Sequence, residues 1–302
     1  MKVRRFRSFA KINLGLEVAG TFGDGYHELK TLFATLSLHD TIGITETTSG
    51  VTVRSGHPDV PDDETNLAHR AAVLMRRISG RKTGVRIDVR KRIAVGGGLG
   101  GGSSNAGTVL RALDLMWELG LGSDGLVEAA KTLGADVPYF LLGGPALGLG
   151  RGDDIHPLDL RLKQKVLLVP GDGGVRTAAV FRRYAALQAG SRAPSRIDAF
   201  LRSIEGHGKP KGLHSLRNDL ERAAMDESLS LSAIARRVRR VGRSTGAIHT
   251  AMSGSGSSFF LLFDAEGAER AAAEALRALG LPSVRCSFVS RRDYTRRFEI
   301  KA

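Results

Sequence analysis

The chain contains a single cysteine, Cys286, so no disulfide can close within it and no thiol cluster can bind a metal. It also lacks an apolar run long enough to cross a bilayer, because the longest uncharged one, residues 137–150, is short and rich in glycine. The opening stretch MKVRRFRSFAKINLGLEVAG makes a poor secretory signal, since Lys11 and Glu17 interrupt its apolar part. A reducing, cytoplasmic setting is expected. Internal repeats and low-complexity tracts are absent as well.

Acidic residues are few, 31 against 45 lysines and arginines, for a formal net charge of +14. Such an excess suits nucleic acid, an anionic membrane or phosphorylated metabolites alike. Much of it sits in Arg236-Arg237-Val238-Arg239-Arg240 and in Arg291-Arg292 with Arg296-Arg297. No aromatic ladder or nucleic-acid motif accompanies these clusters, so they read as solvated helix faces or tails. Neither nucleic acid nor membrane is expected as a partner, and nothing fixes the oligomeric state.

What is present is the composition of an ordinary globular protein, 42% hydrophobic and 25% charged. At 302 residues the chain exceeds the usual size of one hydrophobic core. An α+β fold with two domains is expected, 1–160 and 161–302. Strand patterns cover 5–20 and 31–54, around the turn Phe22-Gly23-Asp24-Gly25. A helix at 66–78 and an alternating strand at 85–89 follow. Further helices are expected near 124–133, 177–188, 195–204, 215–225, 230–242 and 266–279, with strands at 166–169, 259–263 and 283–290.

The most informative segment is residues 96–102, six glycines around Leu99, with Ser103-Ser104-Asn105 opening a helical pattern. Glycines let backbone approach a ligand closely, and the following helix aims free N–H groups and a positive dipole end at the loop. A phosphate cradle is the chemistry this implies; a tight turn needs fewer glycines. Gly96-x-Gly98-x-x-Gly101 formally satisfies a dinucleotide fingerprint, but a Rossmann loop belongs near the start of its domain. No Gly-Lys-Ser/Thr closes the loop, and no His-Arg-Asp or Asp-Phe-Gly set is present, which excludes Walker A and protein-kinase readings.

The segment from Gly96 to Ala106 resembles the central phosphate-binding motif of GHMP kinases. Ala10-Lys11-Ile12-Asn13-Leu14 is similar to that family's first motif, and Ala251-Met252-Ser253-Gly254-Ser255-Gly256-Ser257 to its third. Asp24-Gly25-Tyr26-His27, Leu133-Gly134-Ala135-Asp136-Val137-Pro138 and Asn218-Asp219-Leu220-Glu221 resemble one branch of it, whose acceptor is a cytidine diphosphate-linked methylerythritol. The resemblance implies the two-domain GHMP kinase fold, with an N-terminal domain like ribosomal protein S5 domain 2 and a C-terminal GHMP kinase α+β domain. It implies a small-molecule kinase of the non-mevalonate route to isoprenoid precursors, using ATP and Mg²⁺. Another GHMP acceptor, or a non-catalytic basic binding protein on the same fold, is the alternative.

Residue roles follow from the same resemblance. Ala94, Val95, Gly96, Gly97, Gly98, Leu99, Gly100, Gly101 and Gly102 would cradle the ATP phosphates. Ser103 and Ser104 would donate hydroxyls to phosphate or Mg²⁺, or simply cap the helix. Asn66, Lys91 and Asn105 would surround the adenine nucleotide. Asp136, a lone carboxylate in an apolar segment, would act as general base, with Lys11 orienting it. Asn13 would contact the acceptor. Tyr26 and Phe181 would sandwich its cytosine while His27 reads the edge. Departures from the family pattern are Ala94 in place of proline, Gly107 in place of alanine, and the segment from Leu147 to Arg151.

Overall fold

Two long strands, β1 (Arg4–Thr21) and β2 (His27–Thr47), pair antiparallel in the computed structural model, which describes residues 2–171, 173, 175–187, 194–204 and 212–301. Their middle residues are buried almost continuously, so the alternation expected of a half-solvated strand is lost where β1 runs between layers. The expected strand at 31–54 divides: β2 ends at Thr47, and β3 (Val51–Arg54) returns parallel to β4 (Gly84–Arg90). Between them lies α1 (Leu67–Ser79), started by the Asn66 side chain accepting from the Ala68 N–H and stopped by left-handed Gly80.

The helix after the glycine loop, α2 (Gly101–Trp117), is buried almost without interruption from Ser104 to Leu113. Small residues make that possible. A Cβ on Gly107 would approach the Phe140 side chain to 2.9 Å, which gives the departure at 107 a packing reason. Then come α3 (Gly122–Lys131), the single turn α4 (Tyr139–Leu142), β5 (Ala146–Leu149) and β6 (Asp154–Pro157). β5 pairs with β2, and the apolar run after Pro138 is thus part helix and part strand.

The second half contains β7 (Lys165–Val169), α5 (Thr177–Leu187), α6 (Arg196–Ile204), α7 (Leu220–Glu227) and α8 (Leu229–Ser244). It continues with β8 (His249–Met252), β9 (Phe259–Phe263), α9 (Ala268–Ala278) and β10 (Val284–Cys286). Residue 188, the expected end of the first of these helices, lies outside the described residues. The helix expected from 215 begins only at 220. Before it, Leu213–Ser215 forms a 3-10 turn and the Arg217 carbonyl accepts from the Leu16 N–H at 2.9 Å, which holds the chain extended along β1.

Among the described residues the strands form two sheets, β11-β1-β2-β4-β3 with β5 and β6 attached, and β10-β7-β9-β8. The first contains β11 (Glu299–Ile300), the last strand of the chain. The strand expected at 283–290 therefore stops at Cys286: Ser287 already pairs with Ser37 of β2, and α10 (Arg291–Arg296) then packs against the first sheet. One apolar cluster joins the halves, with Ile12, Ala34 and Leu36 meeting Val166, Leu168 and Phe260. Leu167 and Leu261 on the other face of the second sheet pack against Val238 of α8 and Leu276 of α9.

Candidate active site

Lys11 projects from the middle of β1 and is 4% exposed, where an unpaired ammonium would be costly. It is not unpaired. Its Nζ donates to Asn13 Oδ1 at 2.7 Å and lies 3.5 Å from Asp136 Oδ2, while Asp136 remains 36% exposed. Asn13 is fixed in turn by Thr31, whose Oγ1 accepts from Asn13 Nδ2 at 2.7 Å and donates to the Gly15 carbonyl at 2.9 Å. The result is a fixed cation beside a carboxylate open to solvent.

The glycine loop lies across this pair. The Leu99 carbonyl accepts from the Lys11 backbone N–H at 3.1 Å, and the Gly98 carbonyl accepts from Ser253 Oγ at 2.9 Å. A Cβ on Gly98 would meet the Ser253 carbonyl at 2.2 Å, so the glycine is required by the third motif as well as by any ligand. The third motif is itself held by Asn218, whose Nδ2 donates to the carbonyls of Met252 and Gly254 at 2.9 and 2.7 Å. Asn218 was part of a recognised stretch, but its sequence context gave no sign of this locking role.

Not every expected phosphate group faces the loop. Ser104 is fully buried; its hydroxyl donates to the Phe9 carbonyl at 2.7 Å and accepts from Ser8 at 2.7 Å. It therefore serves the α2–β1 contact, and Ser103 alone of the two serines lines the cavities. Neither serine caps the helix, since α2 starts at Gly101 and its N-cap is Gly100 without a side-chain bond. Lys91 and Asn105 converge on Asp40, a fully buried carboxylate that accepts from Lys91 Nζ at 2.5 Å, Asn105 Nδ2 at 3.0 Å and two backbone N–H groups of Arg92 and Ile93. Asp40 thereby anchors the chain that enters the loop.

Two cavities meet at the loop. One, of about 350 Å³, is lined by Asn66, Lys91, Ala94 to Ser103 and Asn105. The other, of about 400 Å³, is lined by Lys11, Asn13, Asp136, Arg151, Phe181 and Gly254 among others. Gly96, Gly98, Gly100 and Ser103 belong to both. A ligand phosphate at these residues can thus be reached from the side that holds Asp136.

Of the three aromatic side chains expected around the base, Phe181 lines the second cavity, while Tyr26 and His27 are not among its lining residues. The ring facing Phe181 is His27, with centroids 4.9 Å apart, and not Tyr26. Tyr26 is 60% exposed and lies under the Arg151 guanidinium, 4.2 Å from its centroid; Arg151 is also paired with Asp24. Arg151 went unrecognised in the sequence because its segment departs from the family pattern.

The cradle, the Lys11–Asp136 pair and the two joined cavities define a small-molecule kinase site. Residues 66–144 match the GHMP kinases N terminal domain and residues 198–280 the GHMP kinases C terminal domain. The chain is 37% identical over 294 residues to the 4-diphosphocytidyl-2-C-methyl-D-erythritol kinase of Pseudarthrobacter chlorophenolicus, covering 93% of this chain and 91% of that protein. It is likewise 37% identical to the protein of that name from Gloeobacter violaceus, covering 92% and 90%. A crystal structure of 4-(cytidine 5'-diphospho)-2C-methyl-D-erythritol kinase superposes with a TM-score of 0.76 at 38% identity, covering 94% of this chain and 98% of that one. A Streptococcus pneumoniae phosphomevalonate kinase, at 14% identity and TM-score 0.69, shares the fold. This chain belongs to the GHMP kinases and, within them, to the family of 4-diphosphocytidyl-2-C-methyl-D-erythritol kinases.

Proposed function

We propose that the protein transfers the γ-phosphate of ATP to the 2-hydroxyl of 4-diphosphocytidyl-2-C-methyl-D-erythritol, in the cytoplasm, on the non-mevalonate route to isoprenoid precursors. The observation that carries this reading is the pair of cavities sharing Gly96, Gly98, Gly100 and Ser103, with Lys11 and Asp136 on one side only. ATP occupies the side lined by Asn66, Lys91 and Asn105, and its terminal phosphate reaches the shared glycines. The backbone N–H groups at the start of α2 stabilise phosphate charge there.

The acceptor occupies the other side, its hydroxyl directed at Asp136. Asp136 takes the hydroxyl proton as the new P–O bond forms and the bond to ADP breaks. Lys11, held by Asn13, orients Asp136 and supports charge on the transferred group. No group of three His, Cys, Asp or Glu suited to a metal occurs among the described residues, and this donor set fits a Mg²⁺ ion carried mainly by ATP phosphates, with the Ser103 hydroxyl as a protein ligand. Bound there, Mg²⁺ would neutralise phosphate charge.

Arg151 supplies a cation for the acceptor's diphosphate, and the aromatic group of Tyr26, His27 and Phe181 receives its cytosine. For the base to lie between Tyr26 and Phe181, His27 must leave Phe181 and Tyr26 must leave Arg151. Base binding and diphosphate binding are then coupled, because Arg151 is released from Tyr26 as the diphosphate claims it. The deciding experiment measures ATP-dependent phosphorylation of the cytidylyl methylerythritol beside homoserine and mevalonate. Turnover is expected with the first compound only; activity confined to another acceptor overturns the proposal.

A further inference from the structure

The strand that carries Lys11 is held unevenly along its two edges. Toward β2 the register breaks at the lysine itself: Phe9 faces His39 and Lys11 faces Thr35, so β1 advances by two residues while β2 advances by four. On the opposite edge β11 pairs with Arg5 and Phe6. Beyond that pairing, backbone groups of alternate residues of β1 find other partners along the same edge. The Arg7 N–H donates to the Phe298 carbonyl at 2.8 Å, and the Phe9 carbonyl accepts from Ser104 Oγ at 2.7 Å. The Lys11 N–H donates to the Leu99 carbonyl at 3.1 Å, and the Asn13 N–H to Ser253 Oγ at 3.2 Å.

Two of these bonds come from the phosphate cradle, and they bracket Ala10. Leu99 belongs to the glycine loop and contributes a backbone carbonyl; Ser104 belongs to the first turn of α2 and contributes a side chain. The Ser104 hydroxyl has nothing left for a ligand. It is fully buried, lines neither cavity of the cleft, commits its proton to Phe9 and accepts from Ser8 Oγ at 2.7 Å. Ser8 accepts in turn from Asn105 Nδ2 at 2.8 Å. Any effect of Ser104 on the reaction must therefore pass through β1.

We propose that Ser104 is a positioning residue for phosphoryl transfer, whose bond to the Phe9 carbonyl fixes Phe9-Ala10-Lys11 against the start of α2. A phosphate held by the N–H groups at the start of α2 moves with that helix, whereas Lys11 moves with β1. Transfer needs the two in one fixed relation, and a displacement of about 1 Å can cost roughly a hundredfold in rate. Without the hydroxyl the buried Phe9 carbonyl loses its donor, and β1 loses a restraint where its pairing with β2 is already broken. The inference rests on the roles proposed above for Lys11 and Asp136.

The test measures kcat with the cytidylyl methylerythritol, and the ATP dissociation constant, for the folded wild type, Ser104→Ala and Ser8→Ala. Ser104→Ala should lower kcat by roughly tenfold to a hundredfold, with the ATP dissociation constant within about twofold of wild type. Ser8→Ala removes a buried hydroxyl from the same network but leaves the Phe9 carbonyl its donor, so kcat should stay within about threefold of wild type. Where Ser104→Ala does not fold, Ser104→Cys takes its place; the thiol is a weaker donor of similar size, and kcat should fall by about fivefold. A wild type without turnover defeats the reading of the site and this inference with it. With an active wild type, a normal kcat in the Ser104 variant, equal kcat losses in the Ser104 and Ser8 variants, or an ATP affinity that falls as far as kcat overturns the positioning role alone.

Discussion

Lys11 and Asp136 differ in exposure, and that difference sets their roles. A lysine 4% exposed and tied to Asn13 cannot move far, whereas Asp136 keeps a third of its surface for an incoming hydroxyl. Asp136→Asn should thus lower kcat by roughly 10² to 10⁴, the range lost with a general base, and leave the ATP dissociation constant near wild type. Near-normal turnover in the folded variant would remove Asp136 from the chemistry. Arg151→Ala should raise the dissociation constant of the cytidylyl acceptor by roughly tenfold to a hundredfold, because a charge-assisted contact is worth roughly 1.5–3 kcal/mol, with ATP unaffected. Equal titrations of wild type and variant would place the diphosphate elsewhere. Asp136 drew attention as a lone carboxylate among apolar residues, which alone reads as a turn aspartate; only the resemblance of Gly134-Ala135-Asp136-Val137-Pro138 to the family made it a candidate base. Asp40, buried in β2 and binding both Lys91 and Asn105, gave the same signal in Leu38-His39-Asp40-Thr41-Ile42, but nothing local revealed that its partners lie fifty and more residues away.

At the scale of elements, the glycine loop is not uniform, and only the structure tells its glycines apart. Gly98 has φ +74° and a Cβ there would strike the Ser253 carbonyl, whereas Gly102 lies inside α2 with only Leu67 Cδ1 at 3.7 Å from a Cβ. Gly98→Ala should therefore weaken ATP and lower stability together, since it pushes apart two loops that both face the cleft. Gly102→Ala should be neutral or stabilising by up to about 1 kcal/mol, as alanine is the better helix residue. Urea unfolding with nucleotide titration on both variants checks the contrast; a stable, ATP-binding Gly98→Ala would show that the loop can yield. Local pattern announced strand, loop and helix correctly because their periodicity is local. It failed at 215–225 and 283–290, where pairing with β1 and β2 overrides the sequence's own preference.

At the scale of the whole molecule, residues 291–300 connect the end of the chain to the strand that carries Lys11. Tyr294 is 1% exposed, its ring lies 5.3 Å from Phe9, and its hydroxyl donates to the Phe140 carbonyl at 2.6 Å. Phe298 packs on Phe6, and the Arg111 guanidinium lies 3.9 Å from its ring centroid. The terminal arginines that read as a solvated tail flank this anchor, whose apolar residues were too few and too far apart to show a pattern. A division at 160/161 would leave the first sheet without its edge strand and β1 without this packing. Tyr294→Ala should cost about 3–5 kcal/mol, as for other large buried aromatics, while Tyr294→Phe should cost only about 1–2 kcal/mol for the unpaired Phe140 carbonyl. Because one apolar cluster spans both sheets, the loss should appear as a shifted single transition in urea, with signals from both halves moving together. Two separated transitions in the alanine variant, with the second-half signal unmoved, would instead establish that the sheet of β7 to β10 folds without the first.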